Sequence, residues 1–238
     1  MDDSKPLVGK TALVTGSSKG IGAATAQALA AAGAHVVITG RDVKALEEVE
    51  DAIHEAGGSA TIAPVDLTET DGIARLASAL AGRWDTLDIL VLSAAYLPSL
   101  GPVTQIDGKE LGRAITVNLL ATQALLASFD PMLKRAPAAR VIGLTSSVAA
   151  SPRAYWGAYA ATKAGFENLL DSYAQEVATI SNVRVAILDP GATRTQMRAR
   201  AYPGEDPSSV KEPGFVADRI LALLAEDFET RYRERIGG

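Results

Sequence analysis

The sequence predicts an α/β protein built on one doubly wound parallel sheet with helices on both faces. Short runs rich in β-branched residues recur along the chain, and longer alanine-rich stretches with helical spacing separate them. The predicted strands are apolar throughout instead of alternating, which is typical of strands covered on both sides. Strand–helix alternation of this kind predicts a parallel sheet in two helical layers.

Six runs are predicted as strands because each is short, apolar and bounded by turn residues. In chain order they are TALVT, HVVIT, ATIAPV, LDILVL, RVIGLTS and VRVAIL. Helical spacing is clearest over 21–32 and 43–56. The last segment, ETRYRERIGG, is a candidate for a final edge strand, although its charges are unusual for one. No linker or tandem repeat interrupts the pattern, so we expect one domain over 7–238 after a frayed N-terminus over 1–6.

Composition excludes several classes of site. The 238 residues include no cysteine, which rules out disulfides, thiolate metal sites and cysteine nucleophiles. The two histidines, His35 and His54, are expected to be structural or exposed, so we predict no metal site. The net charge of −5 argues against general nucleic-acid binding. No apolar run approaches the ~20 residues that span a bilayer, and we expect a cytoplasmic protein with no membrane partner.

A glycine-rich turn follows the first predicted strand and opens the first predicted helix. In ALVTGSSKGIGAATAQAL the glycines are Gly16, Gly20 and Gly22. Glycines permit a tight turn and let backbone N–H groups approach a pyrophosphate, while the helix N-terminus adds partial positive charge. An ordinary glycine-rich turn is the alternative, but the strand–loop–helix context favours dinucleotide binding.

The spacing Gly-x-x-x-Gly-x-Gly in TGSSKGIG resembles the signature of the short-chain dehydrogenase/reductase family. Further motifs follow in the family's order over nearly the whole chain: VDLT, VNLLAT, a serine-ended strand, Tyr159-x-x-x-Lys163 and DPGATRT. RAYWGAY and YPGEDP are similar to segments of oxoacyl-reductase-like bacterial members. The resemblance implies a single Rossmann-type domain that binds NAD or NADP and catalyses oxidoreduction.

Basic residues at the predicted adenosine end favour NADP over NAD. Arg41 follows the second strand, where an acidic residue would favour NAD, and Lys19 lies inside the glycine loop. A guanidinium can hold a 2′-phosphate through two parallel hydrogen bonds. The alternative is that both are solvated surface charges. The nearby carboxylate of Asp42 keeps NAD as a possible cofactor.

The family resemblance implies a full set of cofactor-binding residues. Asp66 resembles an adenine-contacting aspartate, with a helix N-cap as the alternative. Thr193 would contact the carboxamide through its backbone, and Thr195 would contact the cofactor through its hydroxyl. The set is Gly16, Ser18, Lys19, Gly20, Ile21, Gly22, Arg41, Asp66, Leu67, Ala94, Tyr159, Lys163, Pro190, Gly191, Thr193 and Thr195.

Two tyrosines, Tyr155 and Tyr159, compete for a catalytic role. Positions i and i+4 share a helix face, so Tyr159 lies on the same side as Lys163, whereas Tyr155 is two turns from that lysine. A nearby ammonium lowers a tyrosine pKa that starts near ~10, and Tyr159 is then the general acid/base. An ordinary Tyr–Lys pair on an amphipathic helix is the alternative. Tyr155 is expected to line the substrate pocket or to pack beside Trp156.

The resemblance adds two further catalytic residues. Ser146 precedes Tyr159 by thirteen positions, as the family's serine usually does, whereas the following valine favours Ser147. We select Ser146, which would hydrogen-bond the substrate oxygen and stabilise developing charge. Asn118 matches a helix asparagine that supports a water leading to Lys163, with a buried structural role as the alternative.

Two segments leave questions open. LSAA at 92–95 stands where the family usually has Asn-Asn-Ala-Gly, and we expect it to tighten the adenosine-ribose side. The turn-rich segment 194–214 is predicted to be a mobile lid over the substrate. Its arginines, Arg194, Arg198 and Arg200, either bind an anionic thioester carrier or are solvated.

Together these features predict an NADP-dependent oxidoreductase that reduces a small-molecule carbonyl to a secondary alcohol, or performs the reverse reaction. The alternatives are an NAD-linked alcohol or sugar dehydrogenase and a non-catalytic NADP-sensing regulator. The family resemblance also implies a homodimer or homotetramer built through the helices that carry Asn118 and Tyr159. The sequence does not specify the substrate, the direction or the stereochemistry.

Overall fold

The computed structural model describes residues 5–69 and 71–237. Within these residues, seven strands form one sheet in the order β3-β2-β1-β4-β5-β6-β7, and every neighbouring pair is parallel. The predicted fold class is confirmed, and the charged C-terminal segment does supply the edge strand. The strands are β1 (Thr11–Thr15), β2 (His35–Thr39), β3 (Ser59–Ile62), β4 (Ile89–Leu92), β5 (Arg140–Leu144), β6 (Arg184–Asp189) and β7 (Tyr232–Arg235).

Helices connect the strands and cover both faces of the sheet. The two helices predicted most clearly, α1 and α2, each end within one residue of the expected position. A π-helical turn at Thr116–Leu120 joins α4 to α5. The helices are α1 (Gly20–Ala31), α2 (Val43–Glu55), α3 (Gly72–Ala81), α4 (Gly108–Ile115), α5 (Ala121–Arg135), α6 (Ser147–Ala150), α7 (Gly157–Val177), α8 (Gln196–Ala201) and α9 (Pro213–Ala225).

Successive side chains of a strand enter opposite cores. In β1, Leu13 packs in the core formed with α3, α5 and α7, whereas Ala12 and Val14 pack in the core formed with α1, α2 and α9. All three side chains are fully buried. Burial on both faces is therefore the reason why the strands are continuous apolar runs.

The order of the strands places a crevice at the carboxyl end of β1. That strand lies between β2 and β4, so the connections after β1 and β4 leave in opposite directions. Such a reversal opens the crevice in which doubly wound sheets bind ligands. The glycine turn after β1 and the LSAA segment after β4 therefore meet at the same edge.

The ends of the chain bear on two sequence expectations. Residues 1–4 of the expected frayed segment lie outside the described residues. Leu7 is buried, and its N–H donates to the carbonyl of Ala32 at 2.9 Å.

His35 has a structural role, as expected, because its two ring nitrogens hydrogen-bond Ser59 and Thr61. Among the described residues, no helix combines the length and the apolar character that crossing a membrane requires.

Candidate active site

A cleft of about 680 Å³ opens at the carboxyl ends of the strands. Thr193 and Gly191 are not among its wall residues, and Thr193 is buried with its hydroxyl donating to the carbonyl of Pro190 at 3.1 Å. The other predicted cofactor residues do border the cleft. They are Gly16, Ser18, Lys19, Gly20, Ile21, Gly22, Arg41, Asp66, Leu67, Ala94, Tyr159, Lys163, Pro190 and Thr195.

The glycine loop forms a cradle that side chains would fill. Gly16 has a φ of +68°, and a Cβ there would lie 2.8 Å from the Cα of Ala94. A Cβ on Gly22 would lie 2.3 Å from the carbonyl oxygen of Gly16. The first turn of α1 contains no acidic residue, and its N-cap Lys19 makes no side-chain capping bond. The first amides of this helix are therefore left to bind an anion, as a pyrophosphate site requires.

Charged side chains gather at one end of the cleft. Asp66 accepts hydrogen bonds from the N–H and the hydroxyl of Thr68 at 2.9 and 2.8 Å, and it does not cap α3, whose N-cap is Asp71. The N-cap alternative for Asp66 is therefore wrong. Burial opposes ionisation, but the bonds from Thr68 and the charges of Arg41 and Arg113 lower the pKa of Asp66. This end of the cleft thus presents an ionised carboxylate beside exposed guanidinium groups.

The glycine loop is bonded across the cleft to α8. The ammonium of Lys19 donates to the side-chain oxygen of Gln196 at 2.8 Å. Thr195 is the N-cap of α8, and its hydroxyl oxygen accepts from the N–H of Arg198 at 3.1 Å, which leaves the hydroxyl proton to donate. Gln196 and Met197 border the cleft. They were predicted only as part of the lid segment 194–214 and not as individual site residues. Their position directly after the predicted Thr195 was the signal that could have found them.

Tyr159 and Lys163 lie buried on the cleft wall, one turn apart on α7. The ammonium of Lys163 donates to the carbonyl oxygen of Leu144 at 2.7 Å. The hydroxyl of Tyr159 lies 3.9 Å from the sulfur of Met197. Tyr155 precedes the helix, is 61% exposed and is not a wall residue, so it does not line the cleft. The alternative that it packs beside Trp156 stays a prediction.

Burial dominates the ionisation of this pair. It lowers the pKa of Lys163 to about 8, against the opposing charge of Glu167. It also raises the pKa of Tyr159, and the charge of Asp189 adds to that effect. This direction is opposite to the expected lowering of the pKa of Tyr159 by Lys163, because burial and the charge of Asp189 both raise it. Tyr159 is held as a neutral phenol, which is the form that can donate a proton.

Asn118 is buried in the π-helical turn, where every polar atom of its side chain is bonded. Its oxygen accepts from the N–H of Tyr96 at 2.7 Å, and its amide nitrogen donates to the carbonyl of Tyr96 at 2.9 Å and to the hydroxyl of Thr162 at 3.0 Å. The side chain thus ties the segment after β4 to α7. It holds the cleft wall in place, although Asn118 itself is not a wall residue.

The two candidate serines differ in their hydrogen bonds. Ser146 is the residue before α6 and makes no side-chain capping bond. Ser147 accepts a hydrogen bond from the guanidinium of Arg153 at 3.2 Å. Neither serine is a wall residue of the cleft, whereas the preceding Thr145 is. The choice of Ser146 therefore stays a prediction.

Comparison with known proteins identifies the family. Residues 10–206 match the family model described as short chain dehydrogenase. The chain belongs to the short-chain dehydrogenase family. It is 33% identical over 218 residues to an uncharacterized oxidoreductase of Escherichia coli K12, YciK, with 90% of this chain and 86% of that protein covered.

Solved structures of short-chain dehydrogenases match almost the entire fold. One from Shigella flexneri 2a, complexed with NADP, has a TM-score of 0.93 at 31% identity and covers 98% of both chains. Another from Escherichia coli CFT073, complexed with NADPH, has a TM-score of 0.93 at 32% identity, with 98% of this chain and 99% of that chain covered. The chain is therefore an NAD(P)-dependent oxidoreductase, and the glycine cradle, the open amides of α1 and the cleft volume fit a dinucleotide.

The LSAA segment of this short-chain dehydrogenase is anchored by a residue that the sequence analysis missed. The N–H groups of Ser93 and Ala94 both donate to the hydroxyl oxygen of Thr15, each at 3.1 Å. That hydroxyl in turn donates to the carbonyl of Val91 at 3.2 Å. Ser93 and Ala95 border the cleft. The departure from Asn-Asn-Ala-Gly thus leaves the backbone after β4 fixed to the end of β1.

The predicted lid, 194–214, contains α8 and a 3₁₀ turn at Pro207–Ser209. Two of its three arginines are paired within the segment. Arg194 donates to Glu212 at 3.0 Å, and Arg198 donates to both oxygens of Glu205 at 2.6 and 2.5 Å. Carboxylates of the lid therefore already balance Arg194 and Arg198, two of the three candidates for binding an anionic carrier, whereas Arg200 has no ion pair among the described residues.

Proposed function

We propose that this short-chain dehydrogenase uses NADP to reduce a carbonyl to a secondary alcohol, or to oxidise the alcohol, with Tyr159 as general acid/base. One observation carries the proposal. Tyr159 and Lys163 are buried on the wall of the same cleft as the glycine cradle. A protonated phenol beside a dinucleotide site is suited to complete a hydride transfer by supplying a proton.

Four side chains of the protein are assigned separate roles in the reaction. When bound, NADPH would supply the hydride for reduction, and NADP⁺ would accept it for oxidation. In reduction, Tyr159 donates its hydroxyl proton to the carbonyl oxygen, and the ammonium of Lys163 stabilises the phenolate that remains. Ser146 would donate a hydrogen bond to the same substrate oxygen. Asn118 would support a water that returns the proton toward Lys163.

The preference for NADP rests on Arg41 and Lys19. Arg41 is exposed at the cleft wall and can meet a 2′-phosphate with two hydrogen bonds. Lys19 can turn from Gln196 toward the same phosphate. The relatives complexed with NADP and NADPH support this choice.

We also propose that the protein is a cytoplasmic homodimer or homotetramer assembled through the helices that carry Asn118 and Tyr159. Leu120, which ends the π-helical turn before α5, is 56% exposed and would be covered in such an assembly. Light scattering tests this proposal, and a monomer would contradict it.

The proposed activity is tested by following the loss of reduced-nicotinamide absorbance with NADPH and, in parallel, with NADH. The carbonyl panel contains cyclic ketones, diketones and acetoacetyl thioesters. Turnover with NADPH at a kcat/KM at least about tenfold above that with NADH is expected, since a charged phosphate contact contributes about 1.5–3 kcal/mol. Faster turnover with NADH would refute the cofactor choice. Tight NADPH binding without turnover would favour the sensing regulator.

A further inference from the structure

Two guanidinium groups, which we call the arginine pair, lie over the ring of Tyr96 at the wall of the cleft. The guanidinium carbon of Arg113, on α4, is 4.8 Å from the centre of the ring, and that of Arg200, on α8, is 6.0 Å from it. Tyr96 and Arg113 border the cleft, and Arg200 directly follows the wall residue Ala199. Two positive charges from distant parts of the chain therefore meet at one ring.

Neither guanidinium of the arginine pair forms an ion pair within the part of the chain that the structure describes, and each instead lies over the Tyr96 ring. The other arginines of the lid show the contrast, because Arg194 is paired with Glu212 and Arg198 with Glu205. A guanidinium has five N–H donors in its plane, and contact through its face leaves them free. The arginine pair therefore keeps donors for an anionic ligand.

Glu110 is the carboxylate nearest in sequence to Arg113 on α4, but its oxygens are bonded elsewhere. They accept from the hydroxyl of Tyr96 at 2.9 Å and from the N–H of Ser99 at 2.5 Å. Hydrogen bonds from Ser99 and Tyr96, and then the charge of Arg200, lower the pKa of Glu110, so that it is ionised. One carboxylate thus faces two guanidinium groups, and the cluster keeps one positive charge.

Asp66 is the other carboxylate that the charge of Arg113 reaches. That charge contributes to the lowered pKa of Asp66, but no ion pair joins the two side chains, and the charge of Arg41 acts on the same carboxylate. Asp66 is bonded to Thr68 instead. The positive charge at the ring of Tyr96 is therefore not taken up from this side.

Hydrogen bonds fix Tyr96 relative to the reacting Tyr159. The side chain of Asn118 bonds the N–H and the carbonyl of Tyr96, and it donates to the hydroxyl of Thr162. That hydroxyl donates to the carbonyl of Tyr159 at 2.9 Å. The ring under the arginine pair is thus held by the same buried asparagine that holds the wall with Tyr159.

Helix α8 brings Arg200 to the ring from the opposite side of the chain order. The sulfur of Met197 lies 3.9 Å from the hydroxyl of Tyr159, and Ala201 packs against the cluster that contains this tyrosine. The helix therefore lies against the reacting group and places Arg200 over Tyr96. A ketone whose oxygen meets Tyr159 can extend along this wall to the arginine pair.

We propose that the arginine pair binds a carboxylate on the substrate, so that the protein reduces oxo acids in preference to uncharged ketones of the same size. A guanidinium matches the geometry of a carboxylate. The inference rests on the proposed function: hydride adds to the carbonyl carbon as the C=O π bond breaks, Tyr159 protonates the oxygen, and NADPH is oxidised to NADP⁺. The carboxylate changes no bond and orients the ketone.

The preference is tested with cyclohexanones that differ at carbon 4: 4-oxocyclohexanecarboxylate, 4-oxocyclohexanecarboxamide and 4-methylcyclohexanone. The carboxamide has the shape of the carboxylate without its charge, and the methyl compound is apolar. We expect kcat/KM for the carboxylate to exceed the values for both neutral ketones by about tenfold at low salt, since an exposed charge pair contributes up to about fivefold. The preference should disappear in about 1 M NaCl, which screens exposed charges. Equal values at low salt would overturn the proposal.

The number of charges on the ligand is tested with 4-oxocyclohexyl phosphate. Glu110 offsets one of the two guanidinium charges, so a doubly charged group would leave excess negative charge beside that carboxylate. We expect a lower kcat/KM for the phosphate ester than for 4-oxocyclohexanecarboxylate. A higher value would overturn the choice of a carboxylate.

Substitution of the arginine pair tests its role directly. Arg113→Gln and Arg200→Gln should each lower the ratio of kcat/KM for the carboxylate to that for the carboxamide by about threefold, and the double variant should bring it to about one. Arg83→Gln is the matched control, because Arg83 is exposed and stacked 4.6 Å over the ring of Trp84 but does not border the cleft. It should keep the wild-type ratio. An unchanged ratio in the double variant, or an equal loss in the control, would overturn the assignment.

Binding of NADPH tests the alternative that Arg113 serves the cofactor, since its charge reaches Asp66. We expect the Kd for NADPH in Arg113→Gln, measured by isothermal titration calorimetry, to stay close to the wild-type value, whereas Arg41→Gln should raise it. A raised Kd in Arg113→Gln together with an unchanged preference for the carboxylate would assign this arginine to the cofactor and overturn the proposal.

Binding to an inactive variant separates failure of the arginine pair from failure of the proposed chemistry. In Tyr159→Phe saturated with NADPH, calorimetry should show tighter binding of 4-oxocyclohexanecarboxylate than of the carboxamide. Adding Arg113→Gln and Arg200→Gln should remove the difference. That result would support the arginine pair even if no ketone is turned over. Equal binding of the two compounds in Tyr159→Phe would overturn it even if Tyr159-dependent turnover of 4-methylcyclohexanone is found.

Discussion

The ammonium of Lys163 lies 2.7 Å from the carbonyl oxygen of Leu144, the last residue of β5. This hydrogen bond anchors a fully buried lysine to the end of a central strand. A buried ammonium needs such a partner, because desolvation without one is costly. The sheet therefore fixes the lysine, and through α7 it fixes the position of Tyr159 as well.

Lys163→Met keeps the length of the side chain but removes its charge. We expect kcat to fall about 100-fold, within the range typical of general acid–base groups, while the protein still folds, because methionine suits a buried site. Steady-state kinetics and thermal unfolding check this. Lys134→Met, an exposed change on α5 that removes an ion pair with Asp130, is the matched control and should leave kcat unchanged. Activity that survives in Lys163→Met would contradict the role of the ammonium.

Glu167 lies one helical turn after Lys163 on α7 and is bonded to the edge strand β7. Its carboxylate accepts from the hydroxyl of Thr145 and from the guanidinium of Arg233, each at 2.6 Å. Its charge raises the pKa of Lys163 against the larger effect of burial. Glu167→Gln should therefore lower the pKa of Lys163 below about 8, so that the ammonium loses its proton at lower pH.

The expected result for Glu167→Gln is a shift of the alkaline limb of the kcat–pH profile toward lower pH. At acidic pH, where Lys163 is protonated in both proteins, kcat should change little. Glu176→Gln, on the same helix but exposed, is the control and should leave the limb in place. An unmoved limb in Glu167→Gln would show that this carboxylate does not tune the lysine.

The sequence predicted what depends on local spacing. The strands were found because apolar, β-branched runs mark burial on both faces, and the glycine loop, Tyr159 and Lys163 were found because each motif is contiguous or repeats at one helical turn. Contacts between distant segments were missed. The Met197 sulfur reaches Tyr159 from 38 positions away, and the Thr15 hydroxyl holds the LSAA backbone from 78 and 79 positions away. The pKa of Tyr159 was predicted in the wrong direction, because desolvation depends on tertiary packing that spacing does not encode.

Gly16→Ala should abolish tight NADPH binding. The added Cβ would meet Ala94 at 2.8 Å in a backbone with φ of +68°, which costs about 1–3 kcal/mol of strain and forces the cradle to shift. Gly57→Ala is a matched control, since Gly57 has a φ of +75° with nothing within 4 Å of its Cβ position. That control should lose a similar amount of stability in urea but bind NADPH normally. Equal NADPH affinity in both variants would refute the cradle.

Asp88 is expected to support the stability of the sheet. Its buried carboxylate accepts from the ammonium of Lys10 at 2.9 Å and from the backbone N–H of Thr11 at 3.0 Å. Asp88→Asn should lower the free energy of unfolding by about 2 kcal/mol, because hydrogen bonds to a charged group contribute about 1.5–3 kcal/mol. Glu69→Gln breaks an exposed pair with Arg75 and should cost less than ~1 kcal/mol. Urea unfolding measures the free energy of unfolding of both variants. An equal decrease in the two variants would contradict the role of Asp88.

The most direct test of the account compares Tyr159→Phe with Tyr155→Phe. Each variant removes one hydroxyl, four residues apart, but Tyr159 is buried on the cleft wall and Tyr155 is exposed outside it. The measurement is kcat for the NADPH-dependent reduction of 4-methylcyclohexanone. We expect a loss of at least about 100-fold in Tyr159→Phe and a change of less than about twofold in Tyr155→Phe. Wild-type kcat in Tyr159→Phe, or an equal loss in both variants, would contradict it.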